Sequence, residues 1–362
     1  MLTVKNARGL ALAALLGTSV SVIATPAAAE TLTSGGTAVV PCGDVAKLTE
    51  RIEQANTLGV GVIVLAPGCT YTLTAPSAEL VGVNGANGLP AITSRLSIIG
   101  RGATITRSSL TPFRIAEVAA QGSLVLSGVT VSGGSATAAV GTPGGGILNQ
   151  GTLTVVNSRI IGNAASGAGG GVAVTAGARA QLVNSTVSQN TGSDGGGLHV
   201  GDSGRLTVSS ASVVDNTATA TGGGLATFGT TVINRSRVRD NTAVGFEGGG
   251  IYTATGTLTV NAGRIEDNDA GSYGGGIANW GSTVYLRASL LDENTATEDG
   301  GGLYNNSGTS RLISSRVTDN TAENGQGGGV FVAGGSVTLT AALVAGNDPD
   351  QCAPAGSVLG CS

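Results

Sequence analysis

Carboxylates recur at one phase of this sequence. Asp215, Asp240, Asp267, Glu293 and Asp319 each stand directly before an asparagine, and Glu266 and Asp292 stand one place earlier. Carboxylates held at a constant phase can coordinate Ca2+ or work as an acid–base pair on a polysaccharide. The densest part, Asp240, Glu266, Asp267, Asp292 and Glu293, is the candidate calcium site. Like charges stacked at regular spacing repel, so Arg237, Arg264 and Arg316, four places before the same asparagines, are expected to offset them. The plainer reading is a solvated acidic face that keeps the molecule in solution. Asp194, Glu247, Asp269, Glu298, Asp299 and Glu323 are scattered through other loops and read as ordinary surface.

A second column carries rings. His199, Tyr252, Tyr304 and Phe331 each lie two residues past a glycine triplet, and alanine takes the same place at 173, 226 and 278. Phe228 and Trp280 lie two residues further on. The neighbours on either side are aliphatic or otherwise inward in phase, so these rings are expected to face outward. Aromatic rings along a flat face can stack on sugar rings, which makes His199, Tyr252, Trp280, Tyr304 and Phe331 candidate ligand-binding residues. Single exposed aromatics that merely shield a strand are the plainer reading.

Other chemistries lack their residues. His199 is the sole histidine, and no Gly-x-Ser-x-Gly elbow or CxxC pair accompanies it, which excludes a serine triad and a zinc site. The glycine runs lead into strands, where a phosphate-cradling loop would lead into a helix. Net charge is −4 and falls to −6 without Lys5 and Arg8, leaving Lys47 as the only lysine. No basic footprint for nucleic acid is present. Calcium is the one cofactor the composition suggests.

The elements that must position these columns repeat. Glycine triplets begin at 144, 169, 195, 222, 248, 274, 300 and 327. Asn163, Asn190, Asn216, Asn241, Asn268, Asn294, Asn320 and Asn347 keep step with them. A fixed period of about 26 residues means stacked supersecondary units. Inside each unit apolar residues alternate, as in Leu206 and Val208 or Leu258 and Val260, and another aliphatic stands three places before each asparagine. Three short strands per unit without helices predict an all-β, single-stranded, right-handed parallel β-helix of roughly eleven coils. The glycines are expected at a tight corner where positive φ is needed. The asparagines are expected at a second corner, themselves in the left-handed region, with their amides bonded from coil to coil.

The ends differ from the middle. Residues 1–29 read as a signal peptide: Lys5 and Arg8, an apolar run over 10–24, then Ala27-Ala28-Ala29. Residues 30–75 read as an N-terminal cap with a helix over 44–56, residues 76–347 as the β-helix, and 348–362 as a C-terminal cap. An exported chain is expected to oxidise its four cysteines. Three pairings are open, and cheap local loop closure favours Cys42–Cys69 with Cys352–Cys361. A secreted, extracellular protein with no membrane span after signal removal is expected.

The pairing of Gly249-Gly250-Ile251 with Val238-Arg239-Asp240-Asn241, repeated over 144–347, resembles the repeats of the polymorphic outer-membrane protein family. That family comprises bacterial surface adhesins, so the resemblance implies binding to glycan or a cell surface. No membrane barrel is expected after Cys361, so its anchor does not carry over. The N-terminal part, with Gln54-Ala55-Asn56 and Leu65-Ala66-Pro67-Gly68-Cys69-Thr70-Tyr71, resembles exported bacterial β-helix proteins, an architecture shared with pectate lyases and polygalacturonases. Their aspartate pair and Gly-His-Gly motif do not occur in this chain. A non-catalytic, adhesin-like binder of polysaccharide or cell-surface ligands is thus the first expectation. A lyase or hydrolase of acidic polysaccharide and a structural envelope protein are the alternatives. Oligomeric state is not encoded in any of these features.

Overall fold

The computed structural model describes residues 37–77 and 84–361; the expected signal peptide lies outside the described residues. The chain winds as a parallel β-solenoid of about 12 turns with roughly 26 residues per turn. Three sheets run its length. A wide sheet of 21 strands takes two strands from most coils, a narrow sheet has 8 strands and a third sheet has 10. Strand registers are parallel throughout, so each side chain lies over its counterpart one repeat away, as in Leu206↔Thr231↔Leu258↔Val284. The inward columns form one continuous core, with Leu153, Leu182, Leu258, Leu286 and Val317 all fully buried. The region before the first glycine triplet joins the same ladder: Val60–Leu65 and Thr70–Leu73 are strands, and the long strand Arg95–Arg107 carries a register shift between Ile99 and Ala103.

The asparagine column points inward and is buried. Each amide donates to the oxygen of the next, from Asn163 through to Asn347, at 2.8–3.0 Å. The same oxygen also accepts a backbone N–H, as from Asn241 N to Asn268 Oδ1 at 3.1 Å. The second amide hydrogen goes to the opposite neighbour coil, as from Asn268 Nδ2 to Val238 O at 3.0 Å. The left-handed backbone was expected at these asparagines. It lies instead one residue earlier, at Gly162, Gln189, Asp215, Asp240, Asp267, Glu293, Asp319 and Gly346. An amide can satisfy its neighbours only from inside the coil, so the preceding residue takes the bend and turns its own side chain out.

A second inward polar column occupies the bend between the two wide-sheet strands. Ser158, Ser185, Ser236, Ser289 and Ser315 are buried there, each after a residue with positive φ. Their hydroxyls accept backbone N–H groups of the previous coil, as from Ser289 N to Ser315 Oγ at 3.1 Å. The third corner is the glycine triplet. Gly248 has φ of +72°, and a Cβ on Gly250 would come within 2.7 Å of the Gly276 carbonyl in the next coil. Any side chain there would push the coils apart.

Both ends are closed. Helix α1, Val45–Leu58, begins with Asp44 accepting from Lys47 N at 2.8 Å and stops at Gly59, which is left-handed. It buries Leu48, Ile52 and Ala55, and a Cβ on Gly61 would collide with Ala55. Disulfides join Cys42 to Cys69 and Cys352 to Cys361. At the other end Gln351 completes the amide ladder, its Oε1 accepting from Asn347 Nδ2 at 2.8 Å. Between the ends, buried Arg114 gathers the loop at 84–87 with Pro143 and Gly144, bonding Asn87 Oδ1 at 2.9 Å and Pro143 O at 3.0 Å. No helix among the described residues is long and apolar enough to cross a membrane.

The amide ladder yields a stability prediction. Asn268→Ala strands Asn241 N–H and the Val238 carbonyl in the interior, so unfolding free energy should fall by roughly 2–4 kcal/mol in a guanidinium titration. An unchanged midpoint would show that water repairs the gap.

Candidate functional site

The third sheet carries the rings. Its middle residues stack in register as His199↔Ala226↔Tyr252↔Ala278↔Tyr304↔Phe331. Where that place is alanine, the ring comes from two residues later in the same coil, Phe228 or Trp280. The result is a zigzag. His199 meets Phe228 at 5.5 Å and Phe228 meets Tyr252 at 5.9 Å between ring centroids; Trp280 meets Tyr304 at 6.2 Å. Tyr304 lies between Tyr273, stacked at 4.6 Å, and Phe331, stacked at 5.6 Å with planes 3° apart. Coil spacing of about 4.8 Å is too short for tilted rings on every level. Ala226 and Ala278, both fully buried, make the room that the zigzag needs.

Five candidate ring residues therefore fall on one face, and the structure adds Phe228 and Tyr273. All are outward in phase, yet they cover one another: Tyr304 is only 7% exposed. Next to this face Phe246 is 56% exposed on the turn before Glu247. The Trp280 indole N–H is buried and has no hydrogen-bond partner among the described residues, so it is an unused donor within the face. Tyr273 could have been found from its place before a glycine triplet, had that column been read as a surface register.

That column supplies charge. Asp194, Thr221, Glu247, Tyr273, Asp299 and Gln326 all directly precede glycine triplets, and backbone bonds stack them, as from Gly222 N to Glu247 O and Gly248 N to Tyr273 O, both 2.9 Å. No motif sets Asp194, Glu247 and Asp299 apart from other loop acids. The fold places them beside the rings. Thr221 Oγ1 donates to Asp194 Oδ1 at 2.8 Å, and Gln326 N donates to Asp299 Oδ1 at 2.8 Å. Glu247 forms no hydrogen bond or ion pair with another side chain among the described residues. Burial pushes its carboxyl above the ordinary glutamate range. Burial also raises the Tyr252 phenol, with Glu247 and Asp194 adding to it, and raises Tyr304, with Tyr273, Asp299 and Glu247 adding. His199 is pushed down by burial, against Asp194 and Asp202, so it is neutral at pH 7.

The acidic ladder lies elsewhere, along the bend beside the asparagines. Asp240 pairs with Arg239 at 2.8 Å, and Asp267 lies 3.8 Å from the same guanidinium. Glu266 is paired with Arg264, and Asp292 accepts from the Thr318 hydroxyl. Glu293 is held above the usual glutamate range by its hydrogen bond to Asp267 and the charge of that neighbour. No group of three His, Cys, Asp or Glu side chains among the described residues is placed to hold a metal ion. The five expected calcium ligands are spread along the axis, one or two per coil, and the arginine that touches them most is Arg239, outside the expected arginine column. A shallow groove of about 490 Å³ runs here past Arg264, Asp292, Arg316 and Asp319.

Glu247 gives a signed pH prediction. Its folded pKa is raised, so folding favours the protonated carboxyl, and the ionised form costs stability as pH rises through the glutamate range. Glu247→Gln should melt higher than the parent at pH 7, and the difference should vanish below about pH 4. Melting curves across pH would refute this if the gain persisted in acid.

No curated protein and no solved structure matches the chain. The family described as "Right handed beta helix region" matches residues 84–287. That is more than half of the 362 residues and includes the coils that carry His199, Phe228, Tyr252, Tyr273 and Trp280. The chain belongs to the right-handed β-helix family.

Proposed function

We propose that this protein is an exported glycan-binding solenoid, adhesin-like in role, whose third sheet holds an extended polysaccharide along the solenoid axis. One observation carries the reading: rings from successive coils gather in a zigzag on one straight face. Regularly spaced rings match the apolar faces of consecutive sugars, and nearby carboxylates accept from their hydroxyls. Two disulfides agree with an oxidising compartment. The likeness of the repeats to those of surface adhesins supports the same role.

The test is size-exclusion chromatography of a polysaccharide panel incubated with the chain, followed by Kd measurement on any polymer retained. Intact polymer should co-elute with the protein. Tyr252→Ala should weaken binding about tenfold, which is ~1.4 kcal/mol, without lowering the melting temperature. Tyr304→Ala should weaken binding and also lower the melting temperature, because Tyr304 is buried between two rings. Polymer eluting as shorter fragments would overturn the binding role in favour of an enzyme and direct attention to Glu247.

A further inference from the structure

The ring face has a charge as well as a shape. Asp194, Glu247 and Asp299 occupy the same register position on every second coil, and each is followed five residues later by the outward residue of its own strand, His199, Tyr252 or Tyr304. The carboxylate–ring pair thus repeats along the axis at two coil spacings, about 9.6 Å. A site built by translation recognises a ligand built by translation, which is a linear polymer with a regular repeat.

No fixed positive charge accompanies this repeat. The ion pairs at Arg239 and Arg264 lie on the asparagine bend, away from the third sheet, and Arg114 pairs with Glu117 of the third-sheet strand Ala116–Val118, three register steps before His199 and outside the Asp194–Asp299 stretch. His199, the one titratable base on the face, is held neutral by burial. The Glu247 carboxylate stands half-buried against rings without a partner side chain among the described residues. A carboxylate in that setting lacks the compensation that buried charges normally find. Aromatic faces add to the demand, since their negative quadrupoles attract cations. The backbone of the third sheet is occupied by coil-to-coil pairing, so it offers no edge to a peptide strand.

We infer that the polymer held on this face carries free amino groups, each ammonium lying between a carboxylate of the Asp194–Glu247–Asp299 column and the ring beside it. The inference rests on the glycan-binding reading and narrows it to an amino-sugar polymer. A uronic-acid polymer would place carboxylate against carboxylate and is disfavoured, contrary to the acidic substrate that the architecture alone suggests.

The test compares three oligosaccharides of equal length on the full chain: a chitosan oligomer, its fully N-acetylated form, and an oligogalacturonate. Titrations are run at about pH 6 and low salt, where amines and carboxylates both carry charge. The chitosan oligomer should bind at least tenfold tighter than the acetylated one, and the oligogalacturonate weakest. The ratio should collapse towards unity in high salt and in Glu247→Gln, and binding of all forms should weaken in Tyr252→Ala. Equal binding of free and acetylated forms through Tyr252 would overturn the amino-group assignment and leave the glycan reading standing. Tighter oligogalacturonate binding would also overturn the assignment. Binding to none of the three, or retention of polylysine alone, would overturn both, the latter in favour of a basic peptide.

Discussion

From Asn163 onward, each coil of this solenoid is tied to the next by a buried amide. The asparagine side chain has two donors and one acceptor oxygen, and each is used: neighbour amide, neighbour carbonyl and neighbour backbone N–H. Because the partners are equivalent atoms one repeat away, the ladder fixes a constant translation. The rest of the architecture conforms to it. The residue before each asparagine bends left-handed, the serine column repeats the device at a second corner, and the glycine triplets bring a third corner within van der Waals contact. A ladder of this kind also has ends, and Gln351 supplies the last amide where no further coil exists.

The same translation governs the surface. Equivalent outward residues stack at about 4.8 Å, close enough that chemistry on one coil constrains the next. At the asparagine bend burial and then neighbouring carboxylates push the Asp240 carboxyl up, Asp267 pushes Glu293 up, and Arg239 and Arg264 pair with Asp240 and Glu266. Rings face a steric version of the same problem and answer it by alternation, with alanine at the middle place wherever the ring comes from Phe228 or Trp280. Both surfaces are periodic, but only one combines rings with carboxylates. That difference is why the proposed function is placed on the ring face and not on the acidic bend.

Much of the fold is legible in the residues. A period near 26, alternating aliphatics, and glycines and asparagines in step dictate parallel stacked coils, since no other packing buries three short strands per repeat without helices. Helix α1 follows from Asp44 and the spacing of Val45, Leu48, Ile52 and Ala55, and the local cysteine pairs follow from short loops. The ring column was visible too, including its alternation with alanine.

What the sequence could not decide is which columns become neighbours across a coil. Glu247 and Tyr252 are five residues apart around a glycine corner, and Tyr273 and Phe331 belong to coils on either side of Tyr304. Periodicity gives the phase of a residue along the chain, but lateral proximity depends on how sharply each corner turns. The left-handed bend fell one residue before its expected place for a related reason: side-chain tolerance for positive φ is a local property, whereas the need for an inward amide is imposed by the neighbouring coil. The sequence by itself therefore determined the repeat, the core columns and the identity of the surface columns. Only the tertiary structure decided that carboxylates and rings share one face, because that depends on corner geometry set by contacts between coils.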